Sequence, residues 1–85
     1  MTPSLDQLRP GQRARIEALE GIDGLAQRLM EMGLLEGQQI EVVRFAPLGE
    51  PIEIRLGDYC LSLRRREAAR IRVTPLGGAA GEAMQ

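Results

Sequence analysis

Two prolines set two residues either side of a glycine, Pro47-Leu48-Gly49-Glu50-Pro51, constrain this chain more than any other stretch. Neither proline can donate a ladder hydrogen bond, so strand pairing must lapse between them. Upstream, Ile40, Val42 and Arg44 share one parity and Val43 and Phe45 the other, which gives a strand with apolar residues on both faces. Downstream, Ile52, Ile54 and Leu56 alternate with Glu53 and Arg55, the period-two pattern of a strand with one wet face. The stretch therefore reads as two strands with a stiff connection that leaves Phe45, Pro47 and Leu48 near the surface. Such an apolar corner on a small β-protein is either a core lid or a docking point.

The flanking segments supply the rest of a small β-fold. Ser4 reads as the cap of a short turn that sets Leu5 and Leu8 on one side, and Pro10-Gly11 fits a reverse turn. Ala14 and Ile16 alternate with Arg13, Arg15 and Glu17 in a first strand with one buried face. A helix follows, capped by Asp23, with apolar positions 25, 29 and 32 at helical spacing and Ala26 and Met30 widening the stripe. Gly33 sits where a left-handed residue ends a helix, and Leu34 can then fold back on Leu29. Gly57-Asp58 suits a two-residue hairpin into Tyr59–Leu63, where Tyr59, Leu61 and Leu63 oppose Cys60 and Ser62. Residues 64–69 read as one helical turn and 70–73 as a closing strand. Five short strands are too few for a sandwich and suit a small, strongly bent SH3-like barrel with one helix between the first two strands. The expected division is a barrel over 1–75 and a tail over 76–85 with nothing to bury.

Size and charge narrow the function. At 85 residues the chain makes one domain, and with Phe45 and Tyr59 as its aromatics the core must be aliphatic. A formal charge of −1 provides no global field to hold nucleic acid. The amino terminus lacks the pattern of a signal peptide, and no apolar run reaches the roughly 20 residues of a membrane span, so a cytoplasmic protein without direct membrane insertion is expected. Cys60 has no imidazole to activate it, since histidine is absent, and no catalytic residue is assigned.

Three runs together resemble one family. Residues 28–37 (Arg-Leu-Met-Glu-Met-Gly-Leu-Leu-Glu-Gly) resemble its helix-to-strand segment. Residues 45–52 resemble its Pro-x-Gly-x-Pro hairpin, and 63–68 (Leu-Arg-Arg-Arg-Glu-Ala) the segment before its last strand. The family is FeoA, small cytoplasmic companions of the bacterial ferrous iron transporter FeoB. The same module occurs at the carboxyl end of some DtxR-type metal-dependent repressors. Glu36 and Met32 depart mildly from the family pattern, which usually has proline and often has leucine there. The resemblance implies an SH3-like barrel, a role in ferrous iron uptake, and FeoB as partner.

Two clusters are candidate contacts. A ferrous or zinc site wants several convergent His, Cys or carboxylate ligands. Here Glu50, Glu53 and Asp58 are the nearest approach and read as decoration of a solvated face, so neither metal ligand nor cofactor is assigned. The apolar corner is the stronger candidate: Met32 and Leu34 at the helix end, with Phe45, Pro47, Leu48 and Pro51 on or near the hairpin. Each is either interface or core lid, and exposed apolar patches on small proteins commonly mark interfaces. Arg64 and Arg65 join them as residues that could meet an acidic partner surface, against the plainer reading of a solvated run with Arg64 paired to Glu53 or Glu67. The expected function is a non-enzymatic accessory that binds or regulates FeoB through this corner, with homodimerisation equally allowed. The alternative is a regulatory SH3-like module in metal-dependent transcription control or peptide binding.

Overall fold

The computed structural model describes residues 2–21 and 23–76. A single 3-10 turn, Leu5–Gln7, precedes β1 (Arg13–Leu19), α1 (Gly24–Glu31), β2 (Gln39–Phe45), β3 (Ile52–Leu56), β4 (Tyr59–Leu63), the short helix α2 (Arg65–Ala68) and β5 (Ile71–Pro75). The five strands form one antiparallel sheet in the order β4-β3-β2-β1-β5, with the main helix between the first two strands as expected.

Alternation in the sequence becomes one buried face. Ala14 and Ile16 of β1, Ile40 and Val42 of β2, Ile52, Ile54 and Leu56 of β3, Leu63 of β4, and Ile71 and Val73 of β5 pack together with Leu5, Leu8 and Leu29. Register shifts between Ile16 and Ala18 and between Val42 and Arg44 interrupt the ladders on either side of β1–β2. Such bulges bend strands and raise their twist, which curls a five-stranded sheet around its own core. Just beyond β5, Leu76 donates its N–H to the Arg13 carbonyl at 2.9 Å. The remainder of the expected tail, 77–85, lies outside the described residues.

The connection from α1 to β2 follows the helix-ending rules in detail. Asp23 accepts the Ala26 N–H as N-cap. At the other end Gly33 has φ +100°, Leu34 N–H reaches Leu29 C=O at 3.1 Å, and Gly33 N–H reaches Met30 C=O at 3.0 Å. Those two bonds are the Schellman pair, and they turn Leu34 back onto the core with none of its surface exposed. Leu34 is therefore a core residue and not part of a surface corner.

Candidate functional site: the hairpin corner

The hairpin is built as its prolines dictate. β2 ends at Phe45, opposite Ile52, and beyond that pair the Ala46 N–H reaches the Pro51 carbonyl at 3.1 Å. Pro51, which follows a cis peptide bond, has no N–H to return, so the ladder stops there. Gly49 takes φ +95° and donates to the Ala46 carbonyl at 2.8 Å, closing a tight turn. Leu48 stands at its tip with 95% of its surface exposed, and Pro47 and Pro51 are exposed on either side.

α2 supplies the other wall. The Glu67 carboxylate accepts the Arg64 N–H at 2.7 Å and is itself nearly buried, and Ala68 is fully buried. Arg65 N–H donates to Glu50 Oε1 at 2.8 Å, tying the helix to the turn. The Arg65 guanidinium then lies 5.9 Å from the centre of the half-buried Phe45 ring, within cation–π range. Between the two walls is an open hollow of about 360 Å³ lined by Leu48, Glu50, Arg64, Arg65 and Arg66.

Electrostatics mark this corner out. Arg15, Arg44, Arg55, Arg70 and Arg72 each hold a carboxylate within 3.5 Å. Arg64, Arg65 and Arg66 hold none among the described residues, and neither do the exposed Arg9, Arg13 and Arg28, but only at this corner do three free guanidiniums follow one another along the chain. The pairings anticipated for Arg64 do not form, because Glu53 is bonded to Arg44 and Glu67 caps the backbone of α2. Three unpaired guanidiniums beside an exposed leucine make a surface that is both apolar and cationic.

Met32 does not join it. The Tyr59 hydroxyl donates to the Met32 carbonyl at 3.0 Å, and Met32 is half-buried against the core. Tyr59 pairs with Leu56, whereas Phe45 pairs with Ile52 at the other end of β3. Four residues of strand put the two ends of β3 about 13 Å apart. The expected corner thus divides: Phe45, Pro47, Leu48, Pro51, Arg64 and Arg65 come together, while Met32 and Leu34 belong to the opposite end.

A second apolar surface was not anticipated. Leu19, Gly21, Ala26, Met30, Leu35 and Glu36 line a groove of about 290 Å³, with Met30 43% and Leu35 50% exposed. The signal was present in the Leu34-Leu35 pair. When the Schellman turn sends one leucine inward, the next must point out. Among the described residues no three His, Cys, Asp or Glu side chains converge as a metal site.

The FeoA domain family matches residues 4–75. The chain belongs to the FeoA family. A Porphyromonas gingivalis Fe(2+) transport protein A/Fe(2+) transporter FeoB fusion protein is 44% identical over 69 residues, 81% of this chain, and the chain spans only 8% of that relative's length. The FeoA-like protein of Clostridium acetobutylicum superposes with a TM-score of 0.86 at 29% identity, covering 93% of this chain and 92% of that one. A Stenotrophomonas maltophilia FeoA, described as a prokaryotic SH3 domain protein in complex with zinc, gives 0.73 at 31% identity over 84% and 88% of the two chains. The SH3-like fold read from the sequence is thus shared with FeoA proteins, a family of small accessory transport proteins associated with ferrous iron. No helix of the described residues is long and apolar enough to cross a membrane.

Proposed function

We propose that this chain is a non-enzymatic accessory of ferrous iron uptake that binds a FeoB-type transporter, at its cytoplasmic side, through the hairpin corner. The observation that carries the reading is Leu48, almost wholly exposed on a turn that Pro47, Gly49 and Pro51 hold stiff. Presenting an apolar side chain on a rigid tip lowers the ordering cost of binding, while the Glu50 bond to the Arg65 backbone N–H ties α2 to the turn and the Phe45 ring lies under the Arg65 guanidinium. Burying one leucine contributes about 1.5–3 kcal/mol. The unpaired arginines add selectivity for an acidic rim and a faster encounter. The fused relative supports the choice of partner, since it carries a transport protein A portion and a FeoB portion in one chain.

Titration calorimetry of this chain against a purified FeoB-type transporter, with GDP and with a GTP analogue, tests the reading. Saturable binding is expected, and a nucleotide-dependent affinity would make the chain a regulator rather than a passive companion. Absence of binding in both nucleotide states at physiological salt would contradict it.

A further inference from the structure

The two edges of the sheet are treated differently. The outer edge of β5 is covered by the amino-terminal residues: Val73 N–H donates to the Pro3 carbonyl at 2.9 Å, and Ser4 bridges to Arg72. The outer edge of β4, Tyr59-Cys60-Leu61-Ser62-Leu63, has no backbone partner among the described residues. It also lacks the usual protections of an open edge, since it carries no charge, no proline and no bulge.

Which groups face outward follows from the ladder. The Ala46–Pro51 bond fixes the hydrogen-bonded parity of β2–β3, so Glu53 and Arg55 turn their backbone groups to β2. Ile52, Ile54 and Leu56 then face β4 and bond to Leu63, Leu61 and Tyr59. Cys60 and Ser62 are left pointing two N–H and two C=O groups away from the sheet. Both side chains are exposed, and Leu61 between them is half-buried on the core side.

We infer that this edge pairs antiparallel with the same edge of a second copy about a twofold axis through Leu61. Cys60 then exchanges both hydrogen bonds with Ser62 of the second copy, and Ser62 with Cys60, so all four outward groups are satisfied. Leu61 meets its own counterpart, and Tyr59, 49% exposed, comes opposite Leu63. The same register sets Asp58 opposite Arg64, twice, and neither is in an ion pair among the described residues. A slip that centres on Ser62 fails because it needs the Arg64 N–H, which Glu67 already holds. A slip that centres on Cys60 draws on Asp58, a residue of the turn. Charge complementarity and self-complementary bonding thus select a second copy as the occupant and fix one register.

The test uses the whole chain without any transporter, so its failure leaves the hairpin-corner reading untouched. Amide exchange at Cys60 and Ser62 is followed in the unaltered protein across a concentration series, alongside sedimentation velocity. Exchange at both amides should slow by roughly tenfold as dimer accumulates. Asp58→Arg should weaken the dimer, and Asp58→Arg combined with Arg64→Asp should restore it. Ser62→Pro, which removes an outward N–H and no β3–β4 bond, should leave a folded monomer. Concentration-independent exchange would overturn the proposal, as would a monomer at every concentration or an edge protected in the monomer by another segment of the chain. Failure of the charge exchange to restore association would overturn the register.

Discussion

The helix-to-strand turn at Gly33-Leu34 and the hairpin at Leu48-Gly49 carry the same kind of sequence signal, a leucine beside a glycine of positive φ, with opposite outcomes. At the first, a helix end provides two waiting carbonyls, and bonding to them swings Leu34 into the core. At the second, the glycine closes a turn between prolines that cannot pair, and Leu48 is left at the tip. Glycine sets the bend in both places. Burial is decided by what stands on the inner side of that bend, a helix carrying Leu29 in one case and solvent in the other.

Mutations should separate the two regions sharply. Leu34→Ala removes a fully buried side chain and should destabilise the fold by about 2–5 kcal/mol, read by chemical denaturation. Gly33→Ala should cost about 1–3 kcal/mol, because it forces an alanine to φ +100° and drives its Cβ into the Tyr59 hydroxyl. Adding Tyr59→Phe to it should recover part of that loss, and full additivity would show that the hydroxyl is not the obstacle. Leu48→Glu should change stability by less than about 0.5 kcal/mol. A large loss there would make the hairpin a core lid after all.

A smaller effect concerns how the helix is pinned at its start. Arg70 holds both carboxylate oxygens of Asp23, at 2.8 and 2.9 Å, while Asp23 caps α1. The guanidinium, with the Ala26 N–H, lowers the Asp23 pKa from 3.8 to about 2. A depressed folded-state value means the carboxylate stabilises the fold above about pH 3.8 and loses that effect as the pH falls to about 2. Asp23→Asn should therefore melt below the unaltered protein at pH 6, and the gap should narrow between pH 4 and pH 2.

The comparison also explains what was readable in advance. Strand alternation, the Asp23 cap and the Gly33 end are local signals, and β1, β3, β4 and α1 followed from them. The corner was half readable: the prolines announced a stiff exposed turn, but joining it to the helix end required knowing that Phe45 and Tyr59 lie at opposite ends of β3. That is a matter of register, which no local pattern carries. Arg64 illustrates the same limit, because its expected carboxylates were claimed by Arg44 and by the backbone of α2. The groove at Met30 and Leu35 needed the inward turn of Leu34 to be taken one residue further.

One experiment separates the hairpin corner from that groove most directly: affinity for the FeoB-type transporter measured for Leu48→Glu and for Leu35→Glu, each confirmed folded by its melting temperature. Both leucines are exposed and both substitutions add one negative charge. The corner account predicts that Leu48→Glu weakens binding by at least about tenfold while Leu35→Glu leaves it within about twofold. Unchanged binding by a folded Leu48→Glu protein, with loss in Leu35→Glu, would contradict it and move the contact to the groove.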